Sequence, residues 1–242
     1  MARQAETLPD GVPEGRLIML DTETTGLKPA SGDAIVEIGC VEIVDRTITG
    51  RVFHAYVNPL KPLTDETIRI HGLTPALLSG QPDFPTFIDP LFEFIGASTV
   101  VIHNARFDVG FLDEEMRRAG RGPSAFSDRC DVYDSLVHAR RHVAQQGVSL
   151  SALCRRFGID LNARKVHGAL IDAWLLARVW MVMTAGQAGL SFGDATPDAR
   201  IHVPRAVATL TPDGQRPRVL RASPEECSVH QAFMAKIGAE VF

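Results

Sequence analysis

The sequence predicts an α/β domain, a mixed sheet flanked by helices, followed by a C-terminal tail with a short helix. Three observations predict it: apolar runs of strand length concentrate before residue 103, helical patterns are interleaved with them and then take over, and composition changes after Phe192. With 242 residues, 45% of them hydrophobic and 22% charged, the chain can bury a core of ordinary size.

Residues 16–20 (RLIML) form a short apolar run ending at Asp21, the pattern of a core strand. Residues 35–44 (IVEIGCVEIV) alternate well enough for a second strand, and residues 51–57 supply a third. Asn58-Pro59 and Lys61-Pro62 then break the pattern. Helices are expected over 65–71 and 84–95, then a buried strand over 99–102 that leads directly into a helix over 105–119. Beyond Asp131 the signals are helical, over 134–142, 149–157 and the long apolar segment 169–183. No internal repeat is visible.

The expected organisation is a flexible extension over 1–15, the α/β domain over 16–184, a linker over 185–217 and a tail over 218–242. Residues 193–217 carry four of the 15 prolines with little periodicity. Ser223-Pro224-Glu225-Glu226 then forms a capping box with proline at the first helical position, and Gly238 sits where the helix would stop. Val229, Phe233 and Ile237 share one stripe of that short helix, which in isolation is only marginally stable and is expected to fold against something.

No apolar run approaches the ~20 residues of a membrane span. The first residues lack the layout of a secretory signal, so a cytoplasmic location is expected. Cys40, Cys130, Cys154 and Cys227 include no C-x-x-C pair, which points to reduced, mostly buried thiols and to neither a zinc site nor a disulfide framework. A net charge of -4 argues against gripping duplex DNA by counterion release, which needs a basic face. Nucleic acid, if bound, would be held locally and weakly or with a partner's help.

Three short elements carry candidate chemistry. Asp21-Thr22-Glu23 ends the first strand, and the period of two puts both carboxylates on one side of the sheet. Neither has a basic neighbour in sequence. A divalent cation would relieve their repulsion, and hard oxygen ligands suit magnesium or manganese. His103-Asn104-Ala105-Arg106-Phe107-Asp108 places Asp108 in the first turn of a helix whose buried stripe is Phe107, Phe111, Leu112 and Met116. His167-Gly168-Ala169-Leu170-Ile171-Asp172 places Asp172 within a segment otherwise apolar, where an unpartnered acid is costly. His167 precedes that helix, after a loop over 162–166, and an imidazole with an ordinary pKa of about 6.5 can take a proton near neutrality. Singly, each has a plainer reading: a solvated strand end, a first-turn acid, a surface histidine. Together, in this order and with these flanking residues, chance agreement is improbable.

The three elements resemble the DnaQ-like exonucleases of the DEDDh group, whose active sites are four acids and a histidine. The matching residues are Asp21 and Glu23 in DTETTG, Asp108 in HNARFD, and His167 with Asp172 in HGALID. The resemblance implies a ribonuclease-H-like fold with a mixed five-stranded sheet and a site for two divalent cations, Mg2+ or Mn2+. It implies that Asp21 bridges both ions, that Glu23 and Asp172 complete one sphere and Asp108 the other, and that His167 deprotonates the attacking water. The product would be a nucleoside 5′-monophosphate.

Longer matches, including GDAIVEIGCVEI, TGRVFHAYVNP, IRIHGLTPALL, SLSALCRRFGID and HGALIDAWLLARVWMVMTAGQ, resemble the epsilon subunits of bacterial DNA polymerase III, strongly over residues 16–192. That resemblance implies 3′→5′ trimming of mispaired DNA ends. It implies that Thr24, Gly26, Glu66, Ile70, His71 and Asn104 seat the single-stranded 3′ end, with Ile70 wedged against a base and Glu66 accepting from the 3′ hydroxyl. For Ile70, simple core packing is the alternative. Gln187, Leu190 and Phe192 fit a Q-x-x-L-x-F peptide that resembles a sliding-clamp anchor, or they merely cap the preceding helix. The tail over 218–242 would bind the polymerase alpha subunit. Two other readings stand beside this one: a DEDDh enzyme acting on RNA or small oligonucleotides, or a standalone epsilon paralogue. A non-catalytic bridge would lack at least one of the five site residues, and all five are present.

Overall fold

The computed structural model describes residues 12–122, 126–144, 146–162, 164 and 166–185. Residues 187, 190 and 192, the linker and the tail helix lie outside the described residues.

Strand β1 (Arg16–Thr24) is followed by β2 (Ile35–Val44) and β3 (Thr47–Tyr56), then by the short helices α1 (Asp65–His71) and α2 (Pro75–Leu78). A 3₁₀ turn (Phe84–Phe87) leads into α3 (Ile88–Ile95), and β4 (Thr99–Ile102) into α4 (Ala105–Arg118). The described chain ends with β5 (Val132–Asp134), α5 (Ser135–His142), α6 (Leu150–Arg156) and α7 (Ala169–Met183).

The five strands form one mixed sheet in the order β3-β2-β1-β4-β5, as the resemblance implied. β1 pairs antiparallel with β2 and parallel with β4, and β5 runs parallel to β4. The C-terminal ends of β1, β4 and β5 therefore share one edge, the edge at which open α/β sheets hold ligands.

Alternation along β1 divides the core. Ile18 and Leu20 pack with α3 and α4 around Ile88, Leu91, Phe111 and Met116. Leu17 and Met19 pack on the other face against α6 and α7, among them Leu153, Ala173, Leu176 and Trp180. In α4, Phe111, Leu112 and Met116 are buried as expected, and Phe107 is half-buried. Cys40, Cys130 and Cys154 are buried free thiols.

Several boundaries differ from expectation. β1 continues through Thr24 because its polar residues stay paired with β2, Glu23 opposite Glu37. β3 begins at Thr47, since Asp45 and Arg46 both take positive φ (45° and 61°) and close a tight hairpin. β5 and α2 are additional elements of three and four residues.

Candidate active site

The two columns of side chains on β1 outrun the core at the strand's C-terminal end. Asp21 and Glu23 extend the Leu17–Met19 column toward α7, while Thr22 extends the Ile18–Leu20 column toward α4. Thr22 is what draws the second motif in. Its backbone N–H and hydroxyl both donate to Asp108 Oδ1, at 3.1 and 2.7 Å, across 86 residues of sequence. Asp108 is thus held from the opposite layer, buried in the first turn of α4.

The start of α4 is itself fixed. Asn104, ahead of it, sits in the left-handed region with φ 74°. The Asp134 carboxylate at the end of β5 accepts from the backbone N–H of Asn104 (3.4 Å) and Ala105 (3.1 Å), and from Leu136 (2.8 Å) and Val137 (3.3 Å). One side chain therefore holds the first turns of α4 and α5 together, beside the acid they present.

The third motif arrives on α7, whose first turn carries the buried Asp172. Close approach of that turn to the sheet requires Gly39: a Cβ there would fall 2.2 Å from the backbone N of Leu170. Gly39 stands opposite Asp21 in the β1–β2 register, so the gap that admits α7 lies beside the first acid. His167 is tied to α1, its backbone N–H donating to Ile70 O at 3.0 Å.

These placements bring together the acids that the sequence singled out. Ligand atoms of Glu23, His167 and Asp172 all lie within 4.8 Å of one another. His167 Nδ1 is 3.3 Å from Asp172 Oδ2, and its side chain is 52% exposed. Asp21 is close enough for repulsion from Asp108, Asp172 and Glu23 to count. His167, expected as a base, thus stands at ligand distance, while Asp21 and Asp108 lie outside that tightest cluster.

The electrostatics are those of crowded acids. Loss of solvation, then repulsion from Asp108, Asp172 and Glu23, pushes the Asp21 carboxyl well above its ordinary range. Burial, followed by Asp172 and Glu37, pushes Glu23 up to about 8. Burial raises Asp108 to about 7 against the opposing hydrogen bonds from Thr22. Glu37, buried beside Glu23 on β2, is itself held by His54 Nε2 at 2.8 Å. A cationic side chain enters the cluster, with Arg164 lying 2.6 Å from Asp172.

This donor set fits a divalent cation. Among the described residues, the buried Asp172 Oδ1 has no hydrogen-bond partner, and such an oxygen calls for a counter-charge. The clustered carboxylate oxygens suit a hard ion.

Of the residues expected to seat the 3′ end, Ile70 is joined to the site through its carbonyl, which accepts from the His167 N–H, and Asn104 is exposed ahead of α4. Thr24 is buried, its hydroxyl donating to Gly26 O at 2.6 Å, and a Cβ at Gly26 would meet the Asp33 carboxylate. Glu66 and Ile70 are exposed on α1. Ile70 is 45% exposed, which removes core packing as its explanation. His71 is buried, its Nδ1 accepting from the Leu73 N–H, and its Nε2 has no partner among the described residues. Thr22, Glu37, Gly39, Asp134 and Arg164 were not singled out by sequence. Only Gly39 left a signal there, a glycine inside a strand-forming run.

The family profile described as Exonuclease (RNase_T) matches residues 18–180. Among curated relatives, DNA polymerase III subunit epsilon of Rickettsia felis is 39% identical over 92% of this chain and 96% of its own length. The protein of the same description from Escherichia coli is 37% identical over 90% of this chain and 91% of its own. Among solved structures, exonuclease X in complex with 5′-overhanging duplex DNA superposes with a TM-score of 0.54 at 26% identity, covering 70% of this chain and 91% of that one. The zinc-bound E. coli exonuclease I–single-stranded DNA complex gives a TM-score of 0.60 at 16% identity over 72% and 41%, a likeness of fold alone. With the profile spanning most of the described domain and the epsilon subunits matching nearly end to end, the chain belongs to the exonuclease family and, within it, to the DNA polymerase III epsilon subunits.

Proposed function

We infer that this chain is a 3′→5′ exonuclease that removes mispaired nucleotides from DNA ends as a proofreading subunit, releasing nucleoside 5′-monophosphates. The observation that carries the reading is the gathering of Asp21, Glu23, Asp108 and Asp172 with His167 at one sheet edge, in a chain whose relatives are epsilon subunits.

Asp21, Glu23, Asp108 and Asp172 would hold two divalent cations, magnesium or manganese, which would stabilise charge on the oxygens around the scissile phosphorus. Glu23 and Asp108, raised to about 8 and about 7, give up their protons as they take on that role. Thr22 and Asp134 keep Asp108 aimed across the sheet, and Gly39 keeps Asp172 close. His167 accepts the proton of the attacking water at Nδ1, the nitrogen turned toward Asp172. Ile70 and Glu66 present an apolar edge and an acceptor for the terminal nucleoside, a sequence-tolerant pairing of the kind proofreading needs. Thr24, Gly26, His71 and Asn104 complete the seat.

Residues 187–192 anchor the chain to the sliding clamp and residues 218–242 to the polymerase alpha subunit. Tethering raises local concentration at the primer end, which offsets the weak DNA attraction of a chain with net charge -4. The same association places the protein in the cytoplasm.

The test is trimming of 3′-labelled matched DNA, mismatched DNA and RNA by the wild type and by His167→Ala and Asp172→Ala. Faster removal of mismatched DNA ends, lost in both variants, is expected. Wild-type rates in either variant would refute the roles, and preference for RNA would move the substrate class.

A further inference from the structure

We propose that Arg164 is a built-in counter-cation of the active site, competing with the divalent ion for Asp172 and masking the proton-accepting nitrogen of His167 until it is displaced. The inference rests on the metal-dependent reading above.

The geometry is specific. Arg164 Nη2 lies 2.6 Å from Asp172 Oδ2 and 2.8 Å from His167 Nδ1. One Nη2 carries two hydrogens, so a single nitrogen serves both neighbours, and a guanidinium has no acceptor. His167 Nδ1 is therefore the acceptor in that contact. The lone pair that would take a proton from water is the one Arg164 holds.

The guanidinium is anchored from outside its own loop, because Nη1 donates to Ser151 Oγ on α6. Its side chain is only 11% exposed, and its buried Nε has no partner among the described residues. An arginine kept there with one donor unsatisfied is retained by the acids it faces. Arg164 also opposes the upward shifts of Asp21 and Glu23, so its charge reaches the whole cluster.

A divalent ion on Asp172 Oδ1 and the guanidinium on Oδ2 of the same carboxylate repel each other, so binding of the ion drives this contact apart. Entry of the ion frees Asp172 and His167 Nδ1 in one step. The site is then armed only when loaded, and cation affinity is set partly by Arg164. None of the five residues expected to perform the chemistry supplies this function.

The experiment is calorimetric titration of Mn2+ into the chelator-treated full chain without nucleic acid, for wild type, Arg164→Met, Ser151→Ala and Asp172→Asn. Arg164→Met is expected to bind the first ion about tenfold more tightly, the scale on which one close charge alters an affinity. Its melting temperature without Mn2+ falls below wild type, and the gap closes at saturation. Ser151→Ala keeps every charge and loosens the anchor, so it moves affinity the same way by a smaller factor and decides the matter if Arg164→Met fails to fold. Unchanged or weaker Mn2+ binding in the folded variants overturns the role of Arg164. Asp172→Asn is expected to lose the tight ion; if it binds Mn2+ as the wild type does, the metal reading itself falls.

Discussion

Gly39→Ala adds one methyl group more than ten residues from any catalytic motif, and it is expected to disable the enzyme. The new Cβ would stand 2.2 Å from Leu170 N, 2.3 Å from Ala169 C and 2.4 Å from Leu170 Cα, where real Cβ contacts stay beyond 3.0 Å. All three atoms are backbone, so no side chain can swing aside. The first turn of α7 must retreat by about 1 Å, and it carries Asp172 with it. Overpacking of this kind costs about 1–3 kcal/mol, and backbone against backbone places it at the upper end. At ~2–4 °C per kcal/mol the melting temperature falls on the order of 10 °C. A displacement of ~1 Å at a catalytic group lowers the rate by about 100-fold. Thermal melts with and without Mn2+, with single-turnover trimming of a mismatched end, measure both. A variant that melts and trims as the wild type does would refute the claim that Gly39 sets the position of Asp172.

Other expectations follow from the same contacts. Thr22→Val removes the hydroxyl that donates to Asp108 Oδ1, a bond to a charged group worth about 1.5–3 kcal/mol; the trimming rate falls and the Mn2+ midpoint rises, whereas unchanged metal dependence would free Asp108 from Thr22. Asp134→Ala uncaps two helices at once, so a loss of about 1–3 kcal/mol in denaturant unfolding is expected, and a loss below ~0.5 kcal/mol would contradict the double cap. Without divalent ions, stability should decline with rising pH. Glu23 moves from 4.5 to about 8 and Asp108 from 3.8 to about 7, so the folded chain retains protons that the unfolded chain releases. The stabilisation present below about pH 4 is lost as pH climbs through 7 and 8. Melting temperatures in chelator should therefore drop between pH 5 and 9, and Mn2+ should abolish the drop; a flat profile in chelator contradicts the crowded-acid account.

Much of the fold was legible because strong local signals coincide with tertiary burial. The bounds of β2, α1, β4 and α7 match the alternation, capping and apolar runs that predicted them. α1, for instance, starts at the Thr64 cap and stops at a left-handed Gly72. What stayed hidden was set by pairing partners. The last residue of β1, Thr24, is fixed by pairing with β2, and β5 is three half-buried residues with too few positions for a period. The same division runs through the site. Four acids and a histidine are visible as motifs because their chemistry needs those residue types. Thr22 and Asp134 act through hydrogen bonds to partners 86 and 29 residues away, and neither a threonine between two acids nor an arginine in a loop has a local signature.

The claim that these acids gather divalent ions is tested most directly by anomalous diffraction from crystals soaked in Mn2+. Peaks are expected within coordination distance of Asp21, Glu23 and Asp172, one of them on Asp172 Oδ1, with the Arg164 guanidinium withdrawn from Asp172 Oδ2. Manganese density elsewhere on the molecule, with Asp172 still paired to Arg164, would contradict it.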